Sequence, residues 1–239
     1  MEEVKNTGVY PGDLVVENLT MAKAALSLQS ALLKTMSELV EFRDGNTGEH
    51  IERTQRYLGV LFGVLIEKEE YAQEIDSWDI WLVLNSAQLH DVGKIAVKDR
   101  ILRKPGKLTD KEFEEIKEHA LFGEKVIEKI EMRIKNTAFL EHAKVFAGSH
   151  HEKWDGSGYP RGLKGEEIPL QGRLMAIADV YDALVSDRPY KKAYTHEKAV
   201  KAIANGRGTH FDPILVDVFL EVSDKFNKIA LELKERHTK

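Results

Sequence analysis

The sequence predicts an all-α protein, and three observations carry that prediction. Long stretches without Gly or Pro repeat their apolar residues at spacings of three, four or seven. Helix-opening signatures stand between them: Thr109 with Glu112 forms a capping-box pattern, Thr195 can cap the stretch after it, and Asp212-Pro213 puts proline where a helix begins. No segment alternates apolar and polar residues as a half-buried strand would.

In chain order, residues 1–16 read as a short tether, because Gly8, Pro11 and Gly12 interrupt an early helix. Residues 17–42 contain neither Gly nor Pro, and Ala22, Leu26, Leu33, Met36 and Val40 form one apolar stripe, broken at Gln29. This long helix either packs on its own domain or pairs with a second copy; under three heptads do not decide which. A second helix is expected over 48–70, after the turn-like RDGNTG at 43–48. A third covers 77–89, where Trp78, Trp81, Leu82, Leu84 and Leu89 mark buried faces; it ends at His90-Asp91-Val92-Gly93-Lys94. Residues 95–106 read as a connection closed by Pro105-Gly106. The capped helix from Asp110 should run towards Lys135 with a break near Gly123, followed by a helix over 138–150. Then come a loop at 151–170, a helix over 171–186, another from Thr195 to Ala204, and a last one from Pro213 to Arg236. Two units result: a tether and helix at 1–40, and one domain at 41–239.

Composition narrows the function. With 239 residues, 42% hydrophobic and 31% charged, the chain can bury a sizeable core. A net charge of −5 gives no support to general nucleic-acid binding. The absence of cysteine rules out disulfides and thiolate metal ligands and suits a reducing compartment. No apolar run approaches the roughly 18 residues of a membrane span, and MEEVKNTG lacks the features of a secretory signal. A cytoplasmic setting without membrane attachment is the expectation.

The chemistry sits in polar residues at places where apolar ones belong. His90 and Asp91 end a strongly apolar helix, His119 lies within a helix, and His150-His151 close another before HEKWDGSGYP, a run that must turn. Asp179 is embedded in LMAIADVYDAL, where an unpaired carboxylate would be costly and calls for a cation. With His50 the set holds five imidazoles and two carboxylates, enough for two metals sharing Asp91. Taken singly, a histidine in such a place is more often a hydrogen-bonded core residue, and Asp179 alone could be a buried pair with an arginine; His142, His196, His210 and His237 are left to the core reading. A nitrogen–oxygen shell without sulfur suits iron, manganese, zinc or nickel. Two such ions would activate a bridging water for in-line attack on phosphorus, so metal-assisted phosphoester hydrolysis is expected.

RDGNTGEHIERT (43–54), LHDVGKI (89–95), EHALFGEKVI (118–127), HHEKWDGSGYPRGLKGEEIPL (150–170), IADVYDALVSDRPYKKA (177–193) and FDP (211–213) together resemble the HD-GYP family. These are bacterial cyclic-di-GMP phosphodiesterases within the HD metal-dependent phosphohydrolase superfamily. The resemblance implies a multi-helix HD bundle with a long N-terminal helix and a GYP loop. It implies that His50, His90, Asp91, His119, His150, His151 and Asp179 hold the metals, with Asp91 bridging. It further implies Lys94 on the substrate phosphate, Tyr159 lining the pocket, and Arg188 and Lys191 on phosphate and guanine-side groups. Some family members place a glutamate four residues before the first ligand histidine to help hold a third metal. Here that position is Asn46, a weaker neutral ligand, and Glu49 points elsewhere on the helix, so two ions are expected, iron or manganese first. The expected reaction is hydrolysis of cyclic-di-GMP to pGpG, with GMP left open as an end product. The alternatives are an interaction module docking signalling partners through the GYP loop, and a phosphohydrolase of another cyclic dinucleotide or nucleotide. A homodimer through residues 17–42 is a further expectation.

Overall fold

The computed structural model describes residues 11–44, 49–133, 138–187 and 192–236. Ten α-helices are formed among them: α1 (Pro11–Asp44), α2 (Glu49–Glu67), α3 (Ala72–Ile75), α4 (Ile80–Ser86), α5 (Asp99–Leu102), α6 (Asp110–Glu131), α7 (Ala138–Ser149), α8 (Leu170–Val185), α9 (His196–Asn205) and α10 (Pro213–Arg236). Among the described residues there is no strand, only an isolated bridge between Arg207 and Phe211.

Two apolar clusters hold the helices. The larger packs Tyr57, Leu61 and Leu65 of α2 against Leu174, Ile177 and Tyr181 of α8 and Leu215, Phe219 and Phe226 of α10. Its aromatic centre stacks Tyr57 on Phe226 at 4.4 Å, with Tyr181 edge-on to both. The smaller joins α6 and α7 through Ile127, Leu140, Ala143 and Ala147, with Leu89 and Val92 from the segment after α4.

Several expectations change. α1 begins at Pro11, inside the region read as a tether: proline lacks only an N–H that the first helical position leaves unbonded anyway. Of its expected stripe, Val40 is buried and Leu33 partly so, but Met36 is half exposed; the side chains of Ala22 and Leu26 lie outside the described residues. Helix α4 starts at Ile80, capped by the Asp79 carboxylate accepting from Leu82 N, and tightens into 3₁₀ geometry from Ala87 to Leu89. Trp81 is 54% exposed, while Val83, Ser86 and Leu89 form the buried face. The connection at 95–106 contains the single turn α5. Helix α6 runs through Gly123 without a break. That glycine serves close packing: a Cβ on Gly93 would come within 2.5 Å of Gly123 N and 1.9 Å of His119 O. The capping box at Thr109 and Glu112 is present, and Asp212 caps α10 by accepting from Ile214 N and Leu215 N.

Candidate metal centre

Five separate places in the chain bring their polar residues together. His50 comes from the first turn of α2, His90 and Asp91 from the turn after α4, His119 from α6, His150 and His151 from the end of α7, and Asp179 from α8. They fall into two neighbouring groups: Asp91 with His119, His150 and His151, and His50 with His90 and Asp179. Within each group the donor atoms lie within 4.8 Å of one another. His90 and His150 are fully enclosed, while Asp179 keeps part of its carboxylate accessible.

The hydrogen bonds behind the imidazoles fix how they face. His90 Nδ1 is 3.0 Å from Ala87 O, His119 Nδ1 2.6 Å from Ile116 O, and His150 Nδ1 2.9 Å from Phe146 O. His50 Nδ1 lies 2.8 Å from Asp182 Oδ2. Carbonyl and carboxylate oxygens only accept, so each ring places a proton on Nδ1 and, in its neutral form, turns an Nε2 lone pair inwards. Those lone pairs meet: His50 Nε2 is 3.4 Å from His90 Nε2, and His119 Nε2 is 3.4 Å from His150 Nε2. Asp91 Oδ1 is buried with no hydrogen-bond donor, yet lies 3.2 Å from His119 Nε2 and 3.6 Å from His150 Nε2. Converging acceptors at such spacing repel unless a cation stands among them. The donor set therefore fits divalent metal. Asp91 turns Oδ1 to one group and Oδ2 to the other, where it is 3.3 Å from His90 Nε2. Each carboxylate oxygen of Asp91 thus faces a different group of imidazoles.

Charge around the centre is steep. Burial opposes ionisation of Asp91, but Lys94 and His90 hold its carboxyl well below the ordinary range. Burial likewise opposes the charge on Lys94, yet Asp91, Glu41 and Asp44 raise its ammonium pKa well above the usual value. Lys94 sits in a short 3₁₀ turn, not on a continuing α-helix, and donates to Asp44 Oδ2 at 2.6 Å, with Asp91 Oδ2 at 2.7 Å. Burial and the neighbouring His150 and His119 push the His151 imidazole well down.

A pocket of about 440 Å³ opens over the groups, lined by His50, Asp91, Lys94, His119, His151 and Asp179. Ile101, Leu102, Leu108, Phe113 and Tyr159 add apolar surface to its lining. The loop that delivers Tyr159 is built on Glu152, which is buried and accepts from Arg161 N and Leu163 N at 2.7 and 3.0 Å. Gly156 has φ of +85°, whereas Gly158 serves close approach: a Cβ there would meet Lys153 N at 2.3 Å. Tyr159 N donates to His151 O, and the two rings lie 4.7 Å apart.

Asn46, Arg188, Lys191 and His237 lie outside the described residues. His142, His196 and His210 lie against Gln171, Tyr181 and Phe211 respectively, and none belongs to the grouped donors. Two contributors went unread in the sequence. Asp182 is 2% exposed, accepts from Arg53 at 2.5 and 2.8 Å, and braces His50. Glu41 of α1, also buried, comes within 4.8 Å of the donor atoms of His50 and Asp91. Asp182 carried the same signal as Asp179, a carboxylate in an apolar helix; Glu41 carried none.

Known proteins share this arrangement of sequence. The HD domain family model matches residues 35–215. A cyclic di-GMP phosphodiesterase of Vibrio cholerae is 49% identical over 234 residues, which are 98% of this chain and 48% of that protein. A 3′3′-cGAMP-specific phosphodiesterase of the same organism is 35% identical over 230 residues, 95% of this chain and 41% of its own length. The chain thus spans about half the length of the curated relatives it matches. A crystal structure of a cyclic GMP-AMP-specific phosphodiesterase from V. cholerae superposes with a TM-score of 0.52 at 18% identity, covering 86% of this chain and 53% of that one. That likeness concerns the fold alone.

Proposed function

Because the chain belongs to the HD domain family, in its HD-GYP branch, we propose that it is a metal-dependent phosphodiesterase that hydrolyses cyclic-di-GMP. The observation that carries this reading is the pair of imidazole groups facing one another across Asp91 with their lone pairs inwards. His50, His90 and Asp179 are proposed to hold one ion, and His119, His150 and His151 the other, with Asp91 between them. Iron or manganese is expected there, zinc and nickel being compatible with the same donors. Two bound ions supply a Lewis-acidic centre that activates water and neutralises charge on the phosphorus oxygens.

The protein's own groups do the rest. Lys94 keeps its proton, and its ammonium, anchored by Asp44 and Asp91, faces the pocket where a non-bridging phosphate oxygen would lie. Tyr159 lines the pocket beside His151 and offers the substrate an apolar ring there. Arg188 and Lys191 are proposed to bring positive charge to a dianionic substrate on a protein of net charge −5. Cleavage to pGpG, a cytoplasmic setting, a homodimer through residues 17–42 and docking of a signalling partner at the GYP loop complete the proposal.

The test is to incubate metal-loaded protein with cyclic-di-GMP, 3′3′-cGAMP and mononucleotide diesters, beside Asp91→Ala. Turnover of cyclic-di-GMP that falls at least a thousandfold in the variant, about 4 kcal/mol of barrier, is the expected result. Preference for cGAMP would move the substrate assignment to the second V. cholerae relative's class. No turnover with any metal would leave a docking module. Metal analysis should give two ions per chain; three would draw Glu41 into the set.

A further inference from the structure

We infer that Phe113, in the first turn of α6, stacks on a purine base of the bound dinucleotide and sets the affinity for it. The inference rests on the phosphodiesterase reading above. Phe113 is a large apolar side chain left 46% exposed, and the surface it exposes lines the pocket over the metal centre. A half-exposed aromatic ring at a pocket wall offers a ligand apolar surface to cover.

Its place fits a base better than a phosphate. His151 lies against Tyr159 at 4.7 Å, and Tyr159 in turn faces Phe113 at 6.3 Å and 84°. The rings thus form a chain of contacts that starts at a residue of the centre and ends at a half-exposed one: imidazole, phenol, phenyl. In a nucleotide the sugar separates the phosphate from its base, so the group that meets the base must stand further out than those that meet the phosphate. Along that chain Tyr159 touches a residue of the centre and Phe113 is the ring beyond it.

The surroundings hold the ring in position. Lys117 Nζ sits 4.9 Å from the Phe113 centroid and 5.6 Å from that of Tyr159, tethered by Glu114 at 2.6 Å. Phe113 N donates to Thr109 O at the capped start of α6, which fixes the backbone beneath the ring. Ile101, Leu102 and Leu108 extend the apolar wall beside it. A flat apolar surface with a cation near it is the usual platform for a nucleobase, and the base's π-face is what it recognises.

Phe113→Leu keeps an apolar side chain and removes the flat face. KM for cyclic-di-GMP is expected to rise about tenfold with kcat within a factor of two, and Phe113→Trp to restore it. Inhibition by inorganic phosphate, which reaches the centre without a base, should be unchanged in all three proteins, as should metal content. An unchanged KM in Phe113→Leu overturns the stacking role. So does a matching loss of phosphate affinity or metal, which would mark a structural role. Wild-type protein that turns over no cyclic dinucleotide overturns the phosphodiesterase reading itself, and the stacking role with it.

Discussion

Replacing Asp182 with asparagine is expected to cost about 3 kcal/mol of folding stability, because Arg53 would keep its charge in a buried place with one partner weakened. The same change should weaken metal binding roughly tenfold, since the His50 ring loses the carboxylate that orients it. Thermal melts read the first effect and chelator competition the second. Asp182 also shows where residue-scale reading stopped. In LMAIADVYDAL both aspartates signal a partner, but only the packed helix tells which meets Arg53 and which faces the pocket. His210 gives a pH prediction. Burial and nearby Lys153 lower its imidazole to about 4, against about 6.5 in an unfolded chain. Between those values the unfolded state binds a proton that the folded state does not. Stability is therefore lost as pH falls from about 6.5 towards 4, and His210→Asn should flatten that part of the curve of melting temperature against pH.

Gly93 and Gly123 carry the same lesson at the scale of elements. A glycine inside a helical pattern reads as a break when only the sequence is in hand. Here α6 continues, and the two glycines let it lie directly against the turn that carries His90, Asp91 and Lys94. Gly93→Ala would drive its Cβ into His119 O and Gly123 N, backbone atoms that cannot swing aside. We expect the variant to lose metal and activity together and to melt at least 5 °C lower, as differential scanning calorimetry would show. α1 raises a different question, because the stripe read from the sequence and the surface left exposed differ. Ser37, Val40 and Glu41 are buried, while Met21, Leu28, Leu32, Leu39 and Phe42 stay exposed at spacings of seven, four, seven and three. Those spacings are the alternation of a coiled-coil seam. The proposed pairing predicts a dimer by light scattering that Leu32→Glu with Leu39→Glu converts to monomer; a monomeric wild type would remove the pairing.

Across the whole molecule, helix content and order were legible because they rest on local periodicity and capping, which a sequence displays directly. The candidate ligand set was also legible, as polar residues interrupting apolar helices. The division into two groups was not, because it depends on which oxygen of Asp91 faces which imidazoles. That geometry has a consequence for the stability of the molecule as a unit. The centre draws on α2, α6, α7, α8 and the turn after α4, so an ion held there ties the larger apolar cluster to the smaller one. Ions that bind the folded chain and not the unfolded one stabilise it by mass action, about 4 kcal/mol at a thousandfold excess over the dissociation constant. For a domain of this size that corresponds to a melting temperature roughly 10 °C higher. Removing the metal with a chelator should therefore lower the melting temperature by about that amount, and adding manganese back should restore it. Asp91→Ala, which lacks the shared carboxylate, should show little of that shift in either direction. If chelated and loaded wild type melt together, the imidazoles are not held by an ion, and the centre as proposed fails along with its chemistry.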